Sequence, residues 1–291
     1  MTPFVVPATM MVASGSIHAV VNAIVKGGKA GRDADPLRAR MVARGSTDGV
    51  SAVVLLPATL LVPLPIGAWA WLGISAAVHL LYLYAMIRTY AVADLSAAYP
   101  VMRGSAPLLA AGISIGWFGE RVAVGSMVGI ALVGAAMLAL VVGRHLVTGA
   151  LGWALTTGAM TALYTVADAH GVRAAPSPAS YIVWDFVLIG GESVLLFGVL
   201  SRGRLFAELR TQWRPAAAAG TLSIVTYGLA LWALSLGPTA PLAALRETGM
   251  VTALALSVLF LGERVTRPRV VAVLGILTGA GFILLDGVRA G

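Results

Sequence analysis

Long apolar stretches follow one another along almost the whole chain, and that feature decides what the chain can fold into. Ten of them span 4–26, 40–62, 68–89, 94–118, 123–142, 152–171, 179–201, 215–236, 239–261 and 269–286. Each is close to the roughly 20 apolar residues that a helix needs to cross a bilayer. In hydrocarbon every backbone N–H and C=O must find its partner within the protein, so such stretches read as helices. The segments between them are short, and Pro63, Pro65, Pro178, Pro215 and Pro238 punctuate them. The two longer ones, 26–40 and 201–215, are too small to form a domain. The expected fold is therefore an all-α membrane protein with ten transmembrane helices. Composition agrees: 11% of the 291 residues are charged, against about 25% in a soluble domain. A mean hydropathy of +0.91 excludes a soluble enzyme and a disordered chain. The absence of cysteine excludes disulfides and thiolate metal sites. The N-terminal stretch has no basic leader and reads as the first span rather than a cleaved signal.

The chain also repeats itself. A shift of 143 residues lays Gly119-Glu120-Arg121-Val122 on Gly262-Glu263-Arg264-Val265, and without gaps Gly15 on Gly158, Tyr84 on Tyr227, Arg103 on Arg246 and Ser114 on Ser257. A shared register over that distance divides the chain into two related halves, 1–143 and 144–291. Each half holds five spans. Five is odd, so the second half enters the membrane inverted relative to the first. Inverted repeats are a common carrier architecture, with the binding site near the midplane between them.

The formal net charge of +8 follows the membrane rather than nucleic acid. Lys26, Lys29, Arg32, Arg38, Arg40, Arg44, Arg88, Arg144, Arg202, Arg204, Arg210, Arg214, Arg264, Arg267 and Arg269 gather near the connections after odd-numbered spans, whereas Arg121, Arg173 and Arg289 lie on the other side. The positive-inside rule assigns the first side to the cytoplasm and both termini to the outside. No nucleic-acid partner is expected.

The two copies of the repeated element read AAYPVMRGSAPLLAAGISIGWFGERVAVGSMVGIALVGAAML and PTAPLAALRETGMVTALALSVLFLGERVTRPRVVAVLGILTGAGFILL. An early proline, a small Gly-Glu-Arg turn and a glycine-rich helix make the chain resemble the EamA branch of the drug/metabolite transporter superfamily. The opening SIHAVVNAIVKG is similar to the start of some bacterial members. The resemblance covers essentially both halves. It implies secondary transport of a small metabolite across a bacterial inner membrane, with export the expected direction, and no cofactor. Family members carry many substrates, so it names none. Several amino-acid exporters of this type are drawn with cytoplasmic termini, which departs from the charge count here.

A charged side chain at the bilayer centre costs about 2.5–3.5 kcal/mol on insertion scales, so each deep polar residue marks a candidate. Arg103 stands about nine residues into its span, roughly 14 Å along the axis. Its repeat mate Arg246 enters from the opposite side, and Pro100, Pro238 and Pro241 precede the pair. Two guanidinium groups near the midplane suit a carboxylate or phosphate held in bidentate fashion. Alternatively they are neutralised internally, Arg246 by Glu192 and Arg103 by Asp185 or Asp94, with Glu247 turned about 100° from Arg246 toward another partner. Ser14, His18, Asn22 and Lys26 form an i, i+4, i+8, i+12 stripe on the first helix, facing a cavity or another helix. Lys26 can snorkel to the surface. Tyr99 and Trp184 are candidate cavity walls. Glu192, Asp185 and His79 are titratable groups suited to proton coupling or to counter-ion duty. Gly125, Gly129, Gly275 and Gly279 are small-xxx-small pairs that should bring the fifth and tenth spans together.

Three other readings remain open. Glu192 and Glu247 could serve a proton-coupled exporter of cationic or amphipathic compounds. Gly112-Ile113-Ser114-Ile115-Gly116 matches the nucleophile-elbow pattern, with His79 or His18 as base, although an elbow needs a strand-to-helix turn. A receptor or assembly factor would need larger loops. His18, His79, His145 and His170 show no ligand spacing, so no metal is expected. A homodimer stays open.

Overall fold

The computed structural model describes residues 4–27, 36–93, 95–141, 148–261 and 266–290. Within them the chain forms twelve α-helices: α1 (Val5–Gly27), α2 (Pro36–Leu55), α3 (Trp69–Val92), α4 (Leu95–Gly116), α5 (Val124–Ala139), α6 (Thr148–Ala174), α7 (Pro178–Leu200), α8 (Arg204–Thr211), α9 (Trp213–Leu236), α10 (Thr239–Leu245), α11 (Gly249–Leu261) and α12 (Arg267–Ala290). No strand occurs among the described residues. The second Gly-Glu-Arg element, His145, Asp94 and the side chain of Lys26 lie outside the described part.

Two differences from the expected ten helices have local causes. The 201–215 connection holds the short amphipathic α8, which docks through the buried Leu205. The stretch expected as one span at 239–261 is broken into α10, a 3-10 turn at Arg246–Thr248, and α11. Thr248 Oγ1 donates to the Leu245 carbonyl at 2.7 Å, giving that oxygen a side-chain partner where the helix changes pitch. Among the described residues six helices are long and apolar enough to cross a membrane, α1, α3, α7, α9, α10–α11 and α12, and α5 is a shorter apolar helix. α2 carries four charged residues, Arg38, Arg40, Arg44 and Asp48, and with α4 and α6 is not among them.

The helices pack in a definite set of pairs. α2 lies on α7 and α5 on α12; α3 lies on α6 and α1 on α9; α4 lies on α6 and α1 on α11; α2 also touches α9, and α3 touches α7. The α5–α12 pair meets where the glycines predicted contact. A Cβ on Gly129 would stand 2.5 Å from the Gly279 carbonyl oxygen, and one on Gly279 would stand 2.6 Å from that of Gly129.

One end of the bundle is densely filled. Ala8 and Met11, Leu72, Val172, Tyr181, Leu231 and Leu234, Leu242 and Leu245, and Ile283 form one apolar cluster there. The starts of α1, α3, α7 and α10 and the ends of α6, α9 and α12 meet in it. Val42, Leu83, Met86, Val101, Phe197 and Leu205 form a smaller cluster toward the opposite, arginine-rich end. Val53, Leu195, Leu259 and Leu274 stay exposed on the outer faces. An apolar exterior of this extent suits lipid, not water.

At the dense end two charged residues tie helix termini together. Glu120 accepts from the backbone N–H groups of Thr239 and Ala240, both at 3.0 Å, and so caps α10. Arg173 donates to the carbonyls of Leu234 at 2.9 Å and Gly237 at 2.6 Å, satisfying the end of α9. The glutamate of the Gly-Glu-Arg turn thus acts on the other half of the chain. Asp286 caps α5 in the same manner, accepting from Ser126 N at 2.6 Å.

Candidate functional site

Helix α1 is held tightly on two sides. Ser14 Oγ donates to the Thr226 carbonyl at 2.6 Å, and Thr226 Oγ1 returns a short bond to the Ser14 carbonyl. Ser16 and Thr252 hydroxyls meet at 3.0 Å. Between them Gly15 and Gly249 let backbones touch: a Cβ at Gly15 would collide with the Arg246 carbonyl, and one at Gly249 with that of Gly15. Small residues at a helix crossing permit this approach.

One turn further along α1 the packing opens into a cavity of about 20 Å³. His18 and Asn22 of α1, Tyr99 and Arg103 of α4, and Glu247 of the 3-10 turn line it, with Met250 of α11. The volume is about that of one water probe. A metabolite therefore needs the walls to part. The cavity lies on the arginine-rich side of the dense cluster.

Arg103 Nε donates to Glu247 Oε2 at 3.0 Å across this cavity. Their side chains are 19% and 6% exposed, so the pair is largely out of solvent. Arg103 meets Glu247 and not the expected Asp185; Asp94, the other expected partner, lies outside the described residues. The break at Arg246–Thr248 explains the choice, because it turns Glu247 toward α4 while Arg246 turns toward α9. Arg246 lays its guanidinium 5.1 Å from the Tyr227 ring centroid and leaves its buried Nε without a partner. It does not line the cavity, so the expected two-arginine clamp is not assembled in this conformation. Both arginines, with Arg44, nevertheless set the field around His18.

Glu192 does not meet Arg246 either. It pairs with His79 Nδ1 at 2.9 Å. His79 stacks on Tyr82 at 5.2 Å and meets the edge of Tyr164 at 5.6 Å. Trp184 sits apart from the cavity, edge-on to Trp69 at 5.2 Å, with its indole N–H buried and unpaired. Asp185 is buried on α7 and also stands away from the cavity walls.

Several polar residues went unnoticed in the sequence. Asp48 accepts from Arg44 Nε at 2.7 Å and Ser193 Oγ at 2.8 Å, joining α2 to α7. The i, i+4 spacing of Arg44 and Asp48 was the available signal. Asp168 is fully buried in α6 and accepts from the Tyr181 and Tyr227 hydroxyls. An aspartate inside an apolar stretch was its signal. Ser114 lies within α4 between glycines that are also helical, and its buried hydroxyl has no partner. It forms no strand-to-helix elbow, and among the described residues no base hydrogen-bonds to it.

An apolar exterior around a helical bundle with an ion pair and buried polar side chains at its centre defines a multi-pass membrane protein. Residues 148–285 match the EamA-like transporter family. That match covers just under half of the chain and supports a membrane transporter of small molecules similar to the EamA branch of the drug/metabolite transporter superfamily. No curated protein matches the chain. Among solved structures, the crystal structure of another protein superposes with a TM-score of 0.73 at 18% identity, over 96% of this chain and 98% of that one. At that identity the likeness concerns the fold.

Proposed function

We propose that the protein is a secondary transporter, working as an exporter in a bacterial inner membrane, of a small polar metabolite that bears a carboxylate or phosphate. The observation that carries this is the Arg103–Glu247 pair across the cavity. Glu247 occupies the position on Arg103 that a substrate anion would take. A substrate binds by displacing it, with His18, Asn22 and Tyr99 as walls and Arg246 recruited from its stack on Tyr227. His79 and Glu192 form the titratable pair for proton coupling.

Ten spans in two inverted halves are the reading that fits the packing. Exchanging each first-half helix for its repeat mate turns the α3–α6 contact into α9–α1 and the α4–α6 contact into α11–α1, and leaves α2–α7 and α5–α12 unchanged. Mates also run in opposite senses. α1 and α3 begin in the dense cluster, whereas α6 and α9 end there. Alternating access follows from rocking of the halves around the cavity. With the arginine-rich end in the cytoplasm, the dense end is the outer gate and the cavity lies toward the inside.

A second reading has one observation in its favour: Glu247 lines the cavity and would suit a cationic substrate. Thermal stabilisation of the purified protein by matched anionic, zwitterionic and cationic metabolites separates the two. Binding raises stability by RT ln(1 + [L]/Kd). The anion reading expects shifts with anionic or zwitterionic compounds that vanish in Arg103→Ala and Arg246→Ala. A shift with cations alone, kept in both variants and lost in Glu247→Gln, moves the function to cation export.

A further inference from the structure

Asp168 of α6 and Asp185 of α7 are 0% and 2% exposed, and among the described residues neither forms an ion pair. Tyr181 donates to Asp168 Oδ1 at 2.9 Å, and the Tyr227 hydroxyl donates to the other oxygen. Asp185 follows Tyr181 by one turn on the same face of α7. It feels the charge of Asp168, and its buried Oδ2 has no hydrogen-bond partner. Ser75 is fully buried on α3, which packs against α6, and its Oγ has no hydrogen-bond partner among the described residues. Oxygen atoms of α6, α7 and α9 therefore meet at Asp168, and α3 packs against the same helix. Two buried oxygens, on α3 and α7, are orphaned.

The charge balance of this spot selects its ligand. Tyr227 bonds Asp168 through its hydroxyl and carries the Arg246 guanidinium on its ring face. With both carboxylates ionised, Arg246 balances one of them and one negative charge is left. A buried, unpaired charge of this kind is strongly unfavourable. A divalent metal would overshoot the balance, and no group of three acidic or histidine side chains gathers among the described residues. Other groups facing the site are Glu192 on α7, whose charge reaches Asp185, and Tyr164 on α6, beside Tyr227. His79 lies one turn beyond Ser75 on α3, and Arg103 on α4 reaches Tyr164 through its field.

We propose that Asp168, Asp185 and Ser75, framed by the Tyr181 and Tyr227 hydroxyls, bind one exchangeable univalent cation, a proton or a sodium ion. Tyr227 links that occupancy to Arg246, so the cation biases whether Arg246 stays stacked or turns to the cavity. The inference does not depend on which metabolite is carried.

The test uses purified full-length protein without any metabolite. Melting curves are compared in sodium and choline chloride at matched ionic strength and fixed pH, and in sodium-free buffer from mildly acidic to mildly alkaline pH. Wild type, Asp185→Asn and Ser75→Ala are run together. A sodium site predicts a rise of several degrees with sodium over choline. A proton site predicts a rise of similar size on acidification and no sodium effect. In either case Asp185→Asn loses the response and melts above wild type in the cation-free condition, because the amide is neutral. Ser75→Ala, which removes a single oxygen, weakens the response and decides the matter should Asp185→Asn fail to fold. A wild type that responds to neither cation, or variants that track wild type in both series, overturns the proposal.

Discussion

Neutralising Glu247 tests the central ion pair most directly. Glu247→Gln keeps the shape of the side chain and removes its charge, leaving Arg103 buried opposite a neutral amide. With charges about 4 Å apart and an effective dielectric near 20, the attraction is about 4 kcal/mol. Desolvation of two groups that are 19% and 6% exposed offsets part of that. Removing one member of such a pair costs about 3 kcal/mol, because the other charge is stranded. Arg103→Gln strands Glu247 and should cost a similar amount. The double variant strands neither charge. Its loss should fall short of the summed single losses by about 2 kcal/mol of coupling. Reversible denaturant unfolding in mixed micelles, followed by tryptophan fluorescence, gives the three differences. Single losses that add to within about 0.5 kcal/mol would refute the argument. The two residues would then be neighbours without energetic coupling, and Glu247 would not be the group a substrate anion replaces.

Three further outcomes follow from the packing. Glu120→Ala removes the acceptor for two N–H groups at the start of α10 and should lower stability by about 1–2 kcal/mol, read as a fall in melting temperature. Because that cap closes the dense end, a cysteine introduced at Thr239 should also become more reactive toward a membrane-impermeant thiol reagent; the chain has no cysteine of its own to interfere. Gly129→Ala drives a methyl group against the Gly279 carbonyl and should cost about 1–3 kcal/mol, whereas Gly112→Ala meets nothing within 4 Å and should be close to neutral in the same unfolding assay. Tyr227→Phe keeps the ring under Arg246 but takes one donor from the fully buried Asp168; a loss of about 1–3 kcal/mol is expected by denaturant titration, and an unchanged midpoint would contradict the bond.

Much of the site could be read along single helices. The i, i+4 stripe on α1 brought out His18 and Asn22, and the charged residues of the 95–116 and 239–261 stretches brought out Arg103, Arg246 and Glu247. Four of these five line one cavity with Tyr99. What failed was partnership. Glu192 was matched to Arg246 and found His79 instead; Arg103 was matched to Asp185, among others, and found Glu247. Trp184 was expected at a cavity and lies on Trp69. Each error concerns residues far apart in the chain, where spacing carries no information about crossing angle or rotation. The 3-10 turn at Arg246–Thr248 mattered most, because it sends adjacent side chains to α9 and α4.

The all-helical class, the apolar exterior and the depth of each charged residue belong to the sequence alone. They follow from the length and hydrophobicity of single segments and from the need of a membrane helix to satisfy its own backbone. Which charge neutralises which belongs to the tertiary structure. So do the two orphaned oxygens on α3 and α7 and the cap that Glu120 places on α10. These depend on distances between separate helices, more than a hundred residues apart for the His79–Glu192 pair and the Glu120 cap, and only the packed bundle sets those distances.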